Sequence, residues 1–277
     1  MQGMGLAAAP LVVSSYTLGT EVGFAERVAA AAAAEFDGIG LRAENYRAAL
    51  DEGLDDAAMA ALAAATPVME VEYVTGWGTA GDRTPEQRAK EATVFHMARA
   101  FGVGHVNAGL LEPVPVDDLV VAFGELCDRA GADLAVALEF MPYSGVRDLA
   151  TAWRIVRDAG RPNGALLVDG WHWARSGAVA ADLDGVDPGR IVSVQLCDVA
   201  AEPMARPRAE SLGHRLPPGR GHGDTVGLVR ALESRGVAPR VVGVEVISDE
   251  LVAGGVVSAA HVSADAARDV LDRATRP

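Results

Sequence analysis

Residues 134–140, LAVALEF, decide the fold together with 165–169, ALLVD, 191–197, IVSVQLC, and 241–247, VVGVEVI. Each is a short, nearly unbroken run of aliphatic and β-branched residues, the pattern of a parallel strand covered on both faces. Late in each run falls one polar side chain: Glu139, Asp169, Gln195 and Glu245. Burying such a group costs roughly 2–7 kcal/mol unless it is hydrogen-bonded, and a charge costs more unless paired or bound to a metal. Gathered at one end of a barrel, three carboxylates and an amide oxygen form a hard oxygen cage for a divalent cation. Purely structural roles are open to each: a salt-bridged strand end for Glu139, a helix cap for Asp169, a hydrogen-bonded bridge for Gln195, an arginine pair for Glu245.

Outward from these four runs, strand and helix alternate along the chain. Strands are predicted at Pro10–Leu18, Gly38–Arg42, Val68–Val74, His105–Leu110, Leu134–Phe140, Ala165–Asp169, Ile191–Cys197 and Val241–Ile247. Helices are predicted at Ala25–Glu35, Asp55–Ala65, Pro85–Phe101, Val116–Ala130, Val146–Ala159, Thr225–Ser234 and Ala259–Arg273, with a weaker one within Ala178–Arg190. Gly102, Gly131, Gly160 and Gly236 follow helical runs as stop signals. Thr84-Pro85-Glu86-Gln87 reads as a capping box with proline at the first helical position. Eight strands alternating with about eight helices is the arithmetic of a (β/α)8 TIM barrel. A doubly wound open sheet opens on a glycine-rich phosphate loop, and here that place reads SSYTLGTEVG. With no linker or composition break, residues 1–277 read as one domain.

The 277 residues are half hydrophobic and carry a formal charge of −14. That charge argues against nucleic acid or an anionic membrane as partner. Cys127 and Cys197, without a CxxC, suggest neither a disulfide framework nor a thiolate zinc site, and read as buried small hydrophobes. The start, MQGMGLAAAPLVV, lacks the charged opening of a signal peptide. The alanine run 29–34 is far shorter than the ~20 apolar residues of a membrane span. A cytoplasmic location is expected.

The stretch 199–224 is long and irregular, and such loops in compact domains are commonly functional. Following the Gln195 strand, it would hang over the proposed cage. It carries Arg206, Arg208, His214, Arg215, Arg220 and His222, which suit a carboxylate, phosphate or hydroxyl-rich substrate. Arg215 and His214 are candidate substrate-binding residues. A solvated loop is the alternative. His172, three residues after Asp169 and flanked by Trp171 and Trp173, suits a proton shuttle or a donor to a substrate oxygen. Tyr143 and Trp171, with Trp77 and Phe140, would offer flat surface to a sugar ring. Glu70 and Glu72 share a strand face and would need a partner such as Arg42. His105, at the amino end of its strand, reads as structural.

In this order, EFMPY with Glu139, DGWHWARSG with Asp169 and His172, VQLCD with Gln195 and GVEVISDEL with Glu245 resemble the xylose isomerase-like TIM-barrel superfamily of sugar-phosphate isomerases and epimerases. PPGRGHGD resembles its PGxGxxD element, and FDGIGLRAENY its second strand. The resemblance implies a divalent metal ion (Mn²⁺, Mg²⁺ or Co²⁺) held by Glu139, Asp169, Gln195 and Glu245. It implies that Glu139 and Glu245 exchange protons next to the carbonyl of a keto sugar, sugar phosphate or cyclitol through an enediolate, with His172 kept as a catalytic candidate on its position alone. Where most epimerase-type members place a histidine, this chain has Gln195, which is similar to the 3-dehydroshikimate dehydratase branch. That branch's SRHxR element is here Ser211, Leu212, Gly213, His214, Arg215, so only part of it is kept. An isomerase or epimerase is the first expectation and the dehydratase, a lyase, the second. A non-catalytic sugar-binding barrel is the third. The expected partner is a small polyhydroxylated carbonyl compound, and a homo-oligomer is open.

Overall fold

The computed structural model describes residues 5–79 and 83–276. The expected domain span and the reading of the opening residues also take in residues 1–4, 80–82 and 277, which lie outside the described residues. Eight strands form a closed parallel barrel in chain order. They are β1 (Leu11–Val13), β2 (Gly38–Arg42), β3 (Val68–Val74), β4 (His105–Ala108), β5 (Ala135–Glu139), β6 (Gly164–Asp169), β7 (Ile191–Leu196) and β8 (Val241–Val244). Pairing of Val12 with Gly243 and Val13 with Val244 closes the ring. Helices at Phe24–Ala33, Pro85–Ala100, Val116–Ala130, Leu149–Ala159, Thr225–Ser234 and Val256–Thr275 pack around it. No helix among the described residues is long and apolar enough to cross a membrane.

Local chemistry explains most boundaries. At Thr84 the capping box is complete: Gln87 N–H donates to Thr84 Oγ1 at 3.2 Å, and Thr84 N–H to Gln87 Oε1 at 2.8 Å. The helix 149–159 stops at Gly160, whose φ of 65° is the left-handed conformation glycine adopts without strain. Strand β1 is shorter than its apolar run: after Val13 the chain turns into a 3-10 helix, Ser15–Leu18. Helix Ala43–Asp51 was not expected. It follows Arg42 directly, with no capping side chain to mark its start. The weak segment 178–190 holds only the 3-10 turns Ala180–Leu183 and Pro188–Arg190. Both cysteines are free and buried.

The main apolar core lies between strands and helices. A second, smaller cluster contains Ala135, Ala137, Ala165 and Leu167. These alternate along β5 and β6 on the same face as Glu139 and Asp169, so they fill the barrel beneath those carboxylates.

Candidate active site

The carboxyl ends of the strands carry the polar side chains that the periodicity singled out. Asp169 ends β6 and caps the helix Gly170–Ser176: its Oδ1 accepts from His172 N–H at 2.9 Å. The cap swings His172 back over β5 and β6. Its Nε2 lies 3.4 Å from Glu139 Oε1 and 4.0 Å from Asp169 Oδ1. Glu139, Asp169 and His172 each offer one donor atom, and these atoms all lie within 4.8 Å of one another. Glu139, Asp169 and His172 are thus a buried group able to hold a metal ion.

Glu245, just past β8, faces the same space and is held by two arginines. Arg215 Nη1 donates to Glu245 Oε2 at 3.0 Å and to Asp169 Oδ2 at 2.8 Å. Arg42 Nη2 lies 3.3 Å from Glu245 Oε1, while its Nε donates to Glu72 Oε2 at 2.9 Å. The Arg42 guanidinium stacks 3.9 Å above the Tyr16 ring. Arg215 is fixed from behind by Ser211: Nε donates to its carbonyl at 2.8 Å and Nη2 to its Oγ at 3.1 Å. Both structural roles open to Asp169 and Glu245, helix cap and arginine pair, are therefore realised alongside their convergence on one space.

Burial without full neutralisation sets the electrostatics. Desolvation, then Glu245 and Asp169, push the Glu139 carboxyl well above its ordinary range. Burial also raises Glu245, with Arg215 opposing. Burial pushes Glu72 up to about 7 against the pull of Arg42. Burial lowers His172 to about 3, so its imidazole is neutral at physiological pH. Among the described residues no lysine or arginine pairs with Glu139; its neighbours are His172 and Tyr73.

These side chains open into a cavity of about 270 Å³. Glu139, His172, Arg215, Glu245 and Tyr143 line it, with Tyr16, Arg42 and Tyr73 on the opposite side. The stretch 199–224 covers the mouth, as its position implied. Its short helix Pro207–Ser211 brings Arg208 and Ser211 to the lining. Two expected substrate contacts are not brought there. His214 is exposed and outside the lining, because consecutive side chains of the bridge 214–248 point to opposite faces and Arg215 takes the inward one. Trp171 is wholly buried and supports the site from behind, its ring 5.1 Å from His172 and 6.0 Å from Tyr143.

Gln195 faces the barrel axis below the cavity. Its Nε2 lies 3.2 Å from Ser14 Oγ and 3.4 Å from Glu70 Oε2. Glu70, fully buried, also accepts from Ser193 Oγ at 2.8 Å and lies 3.6 Å from His105 Nε2. Burial would raise its carboxyl, but His105, Asn107 and Ser193 outweigh that and lower it. The expected Arg42 partner thus goes to Glu72 and, at its other end, to Glu245 rather than to Glu70. Tyr73 and Arg42 were not read as site residues. The strand-end rule applied to β5–β8 would have found them had it been applied equally to β2 and β3.

No curated protein matches the chain. Among solved structures, the zinc-bound IolI protein superposes with a TM-score of 0.83 at 20% identity, covering 97% of this chain and 100% of that one. The probable 3-DHS dehydratase AsbF of Bacillus anthracis, involved in petrobactin synthesis, gives 0.71 at 13%, over 91% and 97%. A D-allulose 3-epimerase from Methylomonas sp. gives 0.66 at 16%, over 98% and 100%. At such identities the likeness is one of fold. The family described as xylose isomerase-like TIM barrel matches residues 28–274, nearly the whole chain, and the protein belongs to that family.

Proposed function

We propose that the protein is a divalent-metal-dependent isomerase or epimerase that moves a proton next to the carbonyl of a keto sugar, sugar phosphate or cyclitol. The observation that carries this reading is Glu139: a buried carboxylate that pairs with no lysine or arginine among the described residues, beside Asp169 and Glu245, facing a cavity of about 270 Å³. A divalent cation fits that donor set. Glu139, Asp169 and Glu245, with an amide oxygen from Gln195 or the imidazole of His172, would hold it. When bound, such an ion supplies charge stabilisation to a developing enediolate oxygen. The presence of zinc in IolI and of sugar substrates among the epimerases supports the choice of chemistry.

The chain's own residues supply the rest. Glu139 and Glu245 both face the cavity, and burial raises both carboxyls above their ordinary range, which suits a pair that gives and takes protons. Neutral His172 can donate to or accept from a substrate oxygen. Arg215 spends Nε and Nη1 on protein acceptors, so it positions Asp169 and Glu245 first and offers a substrate little more than an Nη2 hydrogen.

The second reading, a dehydratase of the 3-dehydroshikimate type, is favoured by Gln195 on β7 and by the buried Arg215. One screen separates the two. Manganese-loaded protein is incubated in D2O with keto sugars, including D-allulose, and with 3-dehydroshikimate. Deuterium entering a keto sugar supports the isomerase, and a new conjugated absorbance supports the dehydratase. Tight metal binding with neither signal would leave the non-catalytic sugar-binding barrel.

A further inference from the structure

The cavities on the outer surface are lined mainly by small apolar and exposed residues, whereas one buried polar group bears directly on the site. It is the ladder Glu70–Ser14–Gln195 inside the barrel. Gln195 extends from β7 across the axis toward β1 and β3, in front of Gly243. A Cβ at Gly243 would stand 3.0 Å from Gln195 Cγ, 3.4 Å from Glu70 Oε2 and 3.5 Å from Ser14 Oγ, so glycine leaves the passage open. The hydrogens in this layer run in one direction. Ser14 Oγ–H points at Glu70 Oε2 (3.4 Å), Ser193 Oγ–H at Glu70 Oε1 (2.8 Å), and Gln195 Nε2 at Ser14 Oγ and Glu70 Oε2.

We propose that Glu70 is a positioning residue that fixes which end of the Gln195 amide faces the metal site. Both Glu70 oxygens already accept from serine hydroxyls, so the carboxylate meets the amide as an acceptor and the NH₂ end faces it. A flipped amide would set its oxygen against the carboxylate and lose both Nε2 hydrogen bonds. With Nε2 engaged by Ser14 and Glu70 on the β1 and β3 side, the oxygen end of the amide would be left for the metal site. No hydrogen bond among the described residues falls on that oxygen. Amides are ambivalent ligands, and only the oxygen can serve a cation, so an amide at this position needs a partner that selects its orientation. The carboxylate at position 70 is that partner. This inference rests on the metal reading above and adds the residue that makes Gln195 a competent donor.

The test is the affinity for Mn²⁺ of the full chain after EDTA treatment, measured by calorimetric titration, alongside the melting temperature with and without the ion. Wild type, Gln195→Leu and Glu70→Gln are compared. Loss of such an outer hydrogen bond typically weakens metal binding about 10–100-fold. Glu70→Gln is therefore expected to weaken Mn²⁺ binding at least tenfold, as Gln195→Leu does. In Glu70→Gln the metal-induced rise in melting temperature should shrink more than the metal-free melting temperature changes, which a merely structural Glu70 would not produce. Gln195→Leu weak with Glu70→Gln equal to wild type would overturn the positioning role and leave the metal site standing. Wild-type binding preserved in Gln195→Leu would overturn it by removing Gln195 from the donors. A wild type that binds no Mn²⁺ would overturn both. Should Glu70→Gln not fold, Gln195→His decides: an imidazole can give one N–H to Glu70 and its other nitrogen to the ion. Binding within threefold of wild type is expected, and a loss equal to that of Gln195→Leu would refute the proposal.

Discussion

The two halves of the barrel mouth treat buried charge differently. On the β2–β3 side, Arg42 and Glu72 neutralise one another at 2.9 Å, and Glu70 is satisfied by hydroxyls, an amide and a nearby histidine. On the β5–β8 side, Glu139, Asp169 and Glu245 crowd together. Arg215 holds two of them, Arg42 also reaches Glu245, and among the described residues no lysine or arginine pairs with Glu139. Neutralised pairs in a protein interior are structural and tolerate replacement by apolar groups. A surplus of one sign does not pay for itself through folding, so its retention points to a ligand. Under the proposed reading, the negative surplus on the β5–β8 side is where a divalent cation would sit, with the other half as its scaffold.

That contrast can be broken by experiment, the largest effects first. Glu245→Gln keeps the shape of a side chain assigned a proton-transfer role. It should lower turnover roughly 10²–10⁴-fold while the fold survives, as steady-state kinetics and circular dichroism would show. Equal turnover would move the chemistry away from β8. On the scaffold side, Arg42→Met leaves Glu72 and part of Glu245 uncompensated. It should cost about 3–5 kcal/mol in denaturant unfolding, and Arg42→Met with Glu72→Leu should recover most of that loss.

Next comes pH. Because folding lowers the His172 pKa from 6.5 to about 3, the stability it contributes is complete above pH 6.5 and is lost as pH falls toward 3. The integrated effect has an upper bound on the order of 5 kcal/mol. Metal-free His172→Gln should therefore show a flatter acid limb in unfolding titrations, and an unchanged limb would contradict neutral burial of this ring. A smaller effect is ligand stabilisation: Mn²⁺ at one hundred times its dissociation constant should add about 2.7 kcal/mol to wild type and much less to Glu139→Gln. Smallest is His214→Ala. With its ring exposed and outside the cavity, it should shift both stability and turnover within about 0.5 kcal/mol.

Much of the fold was legible because a parallel barrel writes itself into sequence as short aliphatic runs separated by helices. β2 and β3 match their expected ends, and β5–β7 differ by a residue at one or both ends. Helix Ala43–Asp51 escaped because it starts without a cap or spacer after β2. In the site, Glu139, Asp169 and Glu245 stood out as polar residues ending apolar runs, and their convergence follows from barrel closure. What sequence could not give was direction. Gln195 reaches across the axis because Gly243 leaves room on a strand 48 positions later, a relation no local pattern encodes. His214 and Arg215 are adjacent and basic, and only the bridge to Ser248 decides which one turns inward. Trp171 likewise looks outward-facing as an aromatic beside His172, until the cap on Asp169 folds it under the site.

The most direct test is an anomalous diffraction map at the manganese edge from crystals grown with Mn²⁺. One strong peak is expected at the barrel mouth, roughly 2.1–2.3 Å from oxygens of Glu139, Asp169 and Glu245. A map with no peak there, or with manganese only at surface carboxylates, would contradict it.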